Sequence, residues 1–195
     1  TFDLGRPLHV FDAKKLSGKT LGMRRARLGE ELAGLNGKTY PLDDGMTVIA
    51  DGAGVQGLGG ILGGAASGVG EETTEVFLEV ALFDPTAIAR SGRKLALASD
   101  ARYRFERGVD PQSALWGMQV ATRLILDLCG GSASRVVAAG SLPAQRPMIA
   151  LRSERVAGLG GADVPKPRQR AILQALGFAV EETASGFSAA PPSWR

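Results

Sequence analysis

EVFLEVALFDP, residues 75–85, joins a strand to the beginning of a helix. Apolar residues surround Glu79, and side chains alternate along a strand, so this carboxylate points to one face of a largely apolar segment. Asp84 and Pro85 then favour a helix start, because aspartate caps free N–H groups and proline has no N–H to lose in the first turn. The stretch therefore predicts a strand followed by a helix that ends near Lys94.

Short strands are also predicted before this stretch. The segment Leu32–Leu42 contains Asn36-Gly37, which suits a two-residue type I′ hairpin turn because both residues must adopt positive φ. Met46–Ala50 is a compact apolar run that predicts another strand. The string GGILGG at residues 59–64 is so dense in glycine that we expect its backbone to pass close to another part of the molecule.

A long helix is predicted in the second half of the chain. Asp110-Pro111 repeats the helix-start signal, and Gly130-Gly131 supplies a left-handed stop. A short strand is expected to follow over Ser134–Ala139.

The stretch Gly140–Pro147, with two prolines, predicts a linker between two domains. We expect an α+β fold of mixed and antiparallel sheets with flanking helices over residues 1–145. Residues 146–195 then predict two short helices and strands of a small α+β domain. At about 50 residues it is below the size that comfortably forms its own core, so we expect it to be truncated.

The composition excludes several classes of protein. Of the 195 residues, 44% are hydrophobic and 22% charged, so the chain can bury a sizeable core and is not wholly disordered. One cysteine and one histidine cannot build a Cys/His zinc site, and we expect no metal ligands and a reducing, cytoplasmic environment. No apolar stretch reaches the ~20 residues of a membrane span. A net charge of +3 is compatible with a polyanionic partner without requiring one.

One segment of the chain resembles a phosphate-binding loop. The string AKKLSGKT at residues 13–20 is a relaxed form of such a loop, and the strand ending at Asp51 resembles one that holds magnesium. However, Ala13 occupies the place of the first glycine, and strand-like residues follow where a helix is needed. A surface turn is therefore favoured over nucleotide binding.

Three further features each allow a structural and a functional interpretation. His9 is either a buried structural imidazole or a site residue. The string DARYRFERGVD at residues 100–110 is either a salt-linked corner or a surface that grips phosphates, and its balancing acids favour the corner. Glu79 stands mid-strand, where a buried carboxylate needs a partner, so it either meets an arginine or binds a ligand's donor.

Longer strings of the chain resemble the β subunit of bacterial phenylalanyl-tRNA synthetase. The strings are RPLHVFDAKKLSG (6–18), VIAD (48–51), GGILGGAASGV (59–69), EVFLEVALFDP (75–85), SDARYRFERGVDP (99–111), ATRLILDLCGG (121–131), ILQALGFAV (172–180) and APPSWR (190–195). The resemblance covers nearly the whole chain, and the combination of SDARYRFERGVDP with GGILGG is highly specific. It implies that residues 1–145 are a tRNA-editing module without its N-terminal part, followed by the first half of the next small domain.

The resemblance also implies an activity and a set of site residues. Such modules hydrolyse the ester of tyrosine wrongly attached to the phenylalanine tRNA. Glu79 matches the carboxylate that reads the tyrosine hydroxyl, and His9 matches a histidine near the scissile ester. The pocket residues carried over by their motifs are Gly60, Gly63, Ser99 and Ala101. Ser99 departs from the threonine expected in many relatives.

Partners and cofactors follow from the same resemblance. It implies tRNA(Phe) and the synthetase α subunit of a heterotetramer as partners, with no membrane. ATP and magnesium serve the whole enzyme, and we expect no cofactor in this fragment. We expect the isolated fragment to edit weakly or not at all. The alternative is a non-catalytic scaffold or RNA-binding module with the same fold, in which Glu79 pairs with an arginine.

Overall fold

The computed structural model describes residues 5–144 and 147–195, which divide into two compact units. The first unit comprises the described residues up to Val109 together with Ser113–Val137. The second comprises Asp110–Gln112 and the described residues from Ala138 to Arg195. The domain boundary predicted at 145 and 146 lies outside the described residues and stays a prediction.

Short strands and three helices make up the described part of the first unit. Their bounds are β1 His9–Asp12, β2 Gly22–Arg25, β3 Glu31–Ala33, β4 Thr39–Pro41, β5 Thr47–Ala50, β6 Val55–Leu58, β7 Leu62–Gly63, β8 Val76–Glu79, α1 Pro85–Lys94, α2 Asp100–Phe105 and α3 Ser113–Cys129. All the strand pairs are antiparallel: a four-stranded sheet in the order β2-β5-β6-β7, and the two-stranded pairs β1-β8 and β3-β4.

The main core of the first unit lies between the four-stranded sheet and helices α1 and α2. Its buried members are Ala26, Leu32, Leu42, Met46, Val48, Leu58, Ile61, Ile88, Leu97 and Phe105. A smaller cluster consists of Phe11 of β1, Leu16 and Ile49 of β5. Burying these apolar side chains is the dominant favourable contribution to folding.

Helix α1 confirms the prediction from the Asp84-Pro85 pair. The Asp84 carboxylate accepts a hydrogen bond from the Ala87 N–H at 2.7 Å, and the helix ends at Lys94 as expected. Helix α3 begins at Ser113, slightly later than predicted from Asp110-Pro111, and ends at Cys129. The two glycines after it have φ values of 73° and 94°, the left-handed conformation that stops a helix.

Helix α2 was not predicted as a helix, although the salt-linked corner was. Arg102 pairs with Glu106 at 3.0 Å and Arg104 pairs with Asp100 at 2.8 Å, both one helical turn apart. Arg107 also contacts Glu106 at 3.0 Å. The arginines therefore neutralise acids of the same segment, which agrees with the structural interpretation.

Two predicted elements differ in the structure. The turn between β3 and β4 is a longer loop, in which the Gly34 N–H donates to the Lys38 carbonyl and Gly37 alone of the Asn36-Gly37 pair has positive φ. The type I′ prediction is therefore wrong. Residues 134–139 form no strand; Val136 and Val137 are exposed, and a strand needs a neighbour to bond its backbone.

The segment that resembles a phosphate-binding loop is a surface turn, as favoured. Two 3-10 turns, Ala13–Lys15 and Ser17–Lys19, lead directly into strand β2 rather than into a helix. The Asp51 carboxylate accepts hydrogen bonds from the backbone N–H of Ser17, Ala53 and Gly54 and from the Gln56 side chain. Asp51 is thus an anchor for this turn, which accounts for its place at the strand end.

The second unit is a small antiparallel sheet with two helices. Its elements are β9 Ile149–Arg152, α4 Glu154–Gly160, α5 Lys166–Ala175, β10 Ala179–Thr183 and β11 Gly186–Ala190, with sheet order β10-β11-β9. The central strand β11 buries Phe187 and Ala189. Together the two units confirm the predicted α+β class with antiparallel sheets. Within residues 5–144 and 147–195, none of the helices combines the length and the hydrophobicity of a membrane-spanning segment.

Candidate functional site

The β1-β8 pair brings together two site residues that are 70 positions apart in the sequence. His9 lies directly opposite Glu79 in the antiparallel register. Directly opposed residues point to the same face with Cβ atoms about 4.5–5.5 Å apart. The imidazole and the carboxyl group therefore enter the same space.

That space is a cavity of about 170 Å³. His9 and Glu79 are its titratable lining residues. The other lining residues are Pro7, Leu8, Phe11, Ile49, Gly57, Leu58, Gly59, Gly60, Ile61, Leu62, Gly63, Ala81, Phe83, Ala101 and Phe105. The cavity is therefore apolar on most sides, with one acid and one imidazole to fix the orientation of a ligand.

The side chain of Glu79, which is half-buried, has no hydrogen bond or ion pair with any residue of the described ranges 5–144 and 147–195. Burial disfavours the charged form and raises the pKa of its carboxyl group to about 7. Both protonation states are therefore populated near neutral pH. A carboxyl group held in this way keeps its hydrogen-bonding capacity for a ligand.

His9 is held by carbon atoms rather than by polar partners. Its ring packs edge-on against Phe11, with centroids 4.4 Å apart and planes at 73°. Its Nε2 atom is closed off from solvent and has no hydrogen-bond partner among the described residues. Burial lowers the pKa of the imidazole below its usual value, so His9 is neutral at pH 7.

Backbone glycines form one wall of the cavity because side chains do not fit there. Gly60 has φ of +68°, and a Cβ atom at this position would come within 3.2 Å of Phe83, Ile88 and Phe105. A Cβ atom on Gly63 would collide with the His9 ring. The glycine-rich string therefore makes the close backbone approach that its composition predicts.

Ser99 lies behind this wall rather than in it. Its hydroxyl donates to the Ile61 carbonyl at 2.7 Å and accepts from the Arg102 N–H at 3.0 Å, so it both caps α2 and holds the glycine-rich loop. Ser99 does not belong to the residues that line the cavity, whereas Ala101 does. Through its bond to Ile61, Ser99 can fix the position of the glycine-rich wall without itself lining the cavity.

The B3/4 domain family pattern matches residues 1–130, two thirds of the chain. The chain belongs to the B3/4 domain family. This B3/4 chain is also 58% identical to the phenylalanine–tRNA ligase beta subunit of Rhodospirillum rubrum and 59% identical to that of Paramagnetospirillum magneticum. Both alignments cover 100% of the chain but 24% of the relative, so the chain spans about a quarter of its curated relatives. The predicted resemblance to these subunits is confirmed.

Among solved structures, the B3/4 chain matches an N-terminal fragment of the phenylalanyl-tRNA synthetase beta subunit from Pyrococcus horikoshii. The match has 16% sequence identity and a TM-score of 0.45, and it covers 96% of this chain and 54% of the other.

The structure places most of the predicted site residues of this B3/4 domain around one cavity. His9, Glu79, Gly60, Gly63 and Ala101 all line it, and their individual roles stay predictions. Among the described residues, no group of three or more His, Cys, Asp or Glu side chains is placed to hold a metal ion.

Sequence reasoning missed the aromatic residues of the B3/4 cavity. Phe83 lines it and packs edge-on against Phe105, with centroids 5.0 Å apart. One signal was available, because Phe83 precedes the cap Asp84 and Ile88 lies at the fourth helical position, a spacing typical of a hydrophobic staple. Both side chains do lie beside Gly60. The contribution of Phe105, by contrast, depends on how α2 packs.

Proposed function

We propose that this B3/4 domain is the editing site of a phenylalanine–tRNA ligase beta subunit and hydrolyses tyrosyl-tRNA(Phe). The observation that carries the proposal is an unpaired carboxyl group, that of Glu79, in an otherwise apolar cavity. Burying a carboxyl group without a partner is unfavourable. Glu79 is half-buried and bears part of this cost in the free chain, and a ligand that brings a hydroxyl donor would relieve it.

The size of the cavity fits one aromatic ring. Its volume of about 170 Å³ is close to the ~150 Å³ of an apolar protein cavity that binds benzene. Phe83 and Phe105 supply aromatic wall surface, and Ala101, which also lines the cavity, has a small side chain that takes up little space. A tyrosine side chain therefore fits with little space to spare.

Glu79 supplies the selectivity in this proposal. A hydroxyl on the ring satisfies the carboxyl group, in either protonation state, whereas a phenylalanine ring leaves it buried and unpaired. Sites built in this way reject the analogue that lacks the hydroxyl by up to ~10⁴–10⁵. The site would thus clear tyrosine and spare the correctly charged tRNA.

The chemistry is the hydrolysis of an ester that is already activated. The oxygen of a water molecule bonds to the ester carbonyl carbon, and the bond from that carbon to the ribose oxygen breaks. The ribose oxygen takes up a proton, so the products are free tyrosine and uncharged tRNA. In this proposal His9, which lines the same cavity, bonds the ribose or the carbonyl oxygen, while positioning supplies much of the rate.

For the whole protein we propose an activity and partners beyond editing. By its relatives, the chain would form part of a cytoplasmic ligase that joins phenylalanine to tRNA(Phe) with ATP and magnesium. The α subunit and tRNA(Phe) would be its partners, and no ATP or magnesium site is proposed within this chain. We propose further that the isolated chain edits more slowly than the assembled enzyme.

The contacts of Glu79 favour editing over a scaffold role. A scaffold would pair this carboxylate with an arginine, as Arg24 pairs with Glu30 through two hydrogen bonds of 2.8 and 2.6 Å. Among the described residues, no arginine or lysine forms an ion pair with Glu79. The acid that faces the cavity is therefore not explained by an internal salt link.

The test is Glu79→Ala in the full-length beta subunit assembled with its α subunit. We expect hydrolysis of tyrosyl-tRNA(Phe) to slow by roughly a hundredfold or more, because the phenol loses its acceptor. Glu79→Gln keeps a carbonyl acceptor and should lose less activity.

The matched control is Glu75→Ala, since Glu75 is an exposed acid of the same stretch. It should leave hydrolysis unchanged. Tyrosyl-tRNA clearance by Glu79→Ala at the parent rate would refute the proposed function, as would rapid clearance of phenylalanyl-tRNA by the parent enzyme. The isolated chain, assayed beside the assembled enzyme, tests whether it edits more slowly.

A further inference from the structure

The loop between β3 and β4 brings Leu35 to the same side of Gly63 as the imidazole of His9. The Leu35 N–H donates to the Gly63 carbonyl at 2.9 Å and so ties this loop to β7. Leu35 Cδ1 lies 2.9 Å, and His9 Nε2 2.8 Å, from the point where a Gly63 side chain would begin. The leucine methyl group and the imidazole therefore share the space that a side chain at Gly63 would fill.

These contacts enclose one side of the imidazole in carbon. Phe11 packs against the ring, while Gly63 and Leu35 lie at the end that carries Nε2. The Cε1 position lies against Gly63 as well, so turning the ring over about its Cβ–Cγ bond would keep Nε2 in the same wall. Because His9 also lines the cavity, Nδ1 is the ring nitrogen left to meet a ligand.

The enclosed side of the ring distinguishes the two neutral forms of His9. A proton on Nε2 would create a buried N–H with no acceptor among the described residues, and such orphaned donors are rare in proteins. An unprotonated Nε2 instead directs its lone pair at weakly positive C–H groups of Gly63 and Leu35. This costs less than a buried N–H without an acceptor. Glu79, opposite His9 in the strand pair, is the other titratable group of the cavity.

We propose that Leu35 is a positioning residue: it closes the Nε2 side of His9, so that the neutral ring carries its proton on Nδ1 and offers that N–H to an oxygen of the bound ester. The proposal rests on the proposed function for the identity of the ligand only. The state of the ring is a property of the free chain. His9 then acts as a hydrogen-bond donor and does not take a proton from water.

The test uses nitrogen NMR on the 195-residue chain labelled with ¹⁵N. His9 is the only histidine, so its two ring nitrogens give signals without overlap. At a pH well above the pKa of the ring, we expect the Nδ1 signal in the range of an N–H nitrogen and the Nε2 signal in the range of an unprotonated one. The Nδ1–H form should exceed the other by roughly fivefold or more. A majority of the Nε2–H form would overturn the proposal.

The variant Leu35→Ala tests whether this leucine sets the state of the ring. Opening Nε2 to water should reduce the excess of the Nδ1–H form by about fivefold and raise the pKa of His9 towards its usual value. Leu35→Met refills the space and should restore both readouts. The control is Leu28→Ala, which should leave both readouts unchanged. Leu28 is 91% exposed, whereas Leu35 is 54% exposed. Unchanged signals in Leu35→Ala would exclude a positioning role for Leu35.

The two proposals fail separately. The NMR measurement involves no tRNA, so loss of the Nδ1–H form would leave the role of Glu79 in editing untouched. Conversely, an assembled enzyme that clears no tyrosyl-tRNA would refute the editing function while the state of the His9 ring still stands.

Discussion

The two ends of the β1-β8 pair hold carboxyl groups in opposite circumstances. At one end Asp12 is buried, and its carboxylate accepts hydrogen bonds from the Thr73 hydroxyl at 2.8 Å and the Lys14 N–H at 3.0 Å. Lys15 Nζ lies 3.8 Å away. At the other end, three register steps along, Glu79 has none of these partners among the described residues.

The difference shows that partners decide what a shielded acid does. The hydrogen bond from Thr73 is the main reason that the pKa of Asp12 lies below its usual range, whereas burial alone raises the pKa of Glu79 to about 7. Asp12 is a structural group because its bonding capacity is used within the fold. Glu79 sits on the same pair of strands with its capacity unused, which is the property expected of a ligand site.

Removing the partnered acid should have the largest effect on stability. Asp12→Ala leaves the Thr73 hydroxyl and the Lys14 N–H without their acceptor, so we expect the thermal midpoint of the chain to fall by roughly 4–8 °C. Calorimetry or circular dichroism at pH 7 measures the change. The thermal midpoint of Asp12→Asn, which keeps one acceptor oxygen, should fall less than that of Asp12→Ala. A midpoint equal to that of the parent chain would mean that Asp12 is as unsupported as Glu79.

Replacing the unpartnered acid should have a smaller effect of the opposite sign. The pKa of Glu79 in the folded chain, about 7, exceeds its ordinary 4.5, so folding is penalised progressively as pH rises through that interval. Glu79→Gln removes the penalty, and its thermal midpoint should exceed the parent's by roughly 3–6 °C at pH 8. The gain should vanish at pH 4.

The control for this comparison is Glu75→Gln, which changes an exposed acid of the same stretch. It should show no such pH dependence. A Glu79→Gln midpoint that tracks the parent's from pH 4 to pH 8 would show that Glu79 ionises freely in the folded chain.

The smallest effect on stability should come from removing one hydrogen-bond partner of Asp12, so that its carboxylate becomes more like that of Glu79. Thr73→Val removes the hydroxyl that donates to Asp12, so the pKa of Asp12 should rise and the thermal midpoint should fall by roughly 2–4 °C. A carboxyl ¹³C NMR titration follows the pKa. Thr39→Val, at an exposed position of β4, should leave the Asp12 titration in place. An equal response in both variants would show that Thr73 does not lower the pKa of Asp12.

Local signals accounted for much of the fold. Helix α1 follows from the cap at Asp84, and the end of α3 follows from Gly130, because both depend on a few adjacent residues. Helix α2 was not predicted because residues 100–110 were interpreted by their charges alone. The helix-start signal is Ser99, whose hydroxyl caps α2. The strand expected over Ser134–Ala139 failed because β-propensity does not supply a pairing partner.

The site was predictable only in part. The family resemblance drew attention to Glu79 and His9, but their position opposite each other depends on the register between strands far apart in the sequence. The absence of any partner for Glu79 among the described residues is a property of the packed structure. Ser99 shows the reverse case, since the motif suggests a pocket residue and the fold directs its hydroxyl to the Ile61 carbonyl.

The glycine wall limits how the ligand range of this domain can evolve. Positions 60 and 63 admit no side chain without collisions, and Gly60 adopts a left-handed conformation that other residues rarely take. This wall of the cavity is therefore main chain, and point substitution cannot reshape it. A descendant or an engineer seeking a roomier or narrower recess has to work from the side chains that line it, through Phe83 and Ala101.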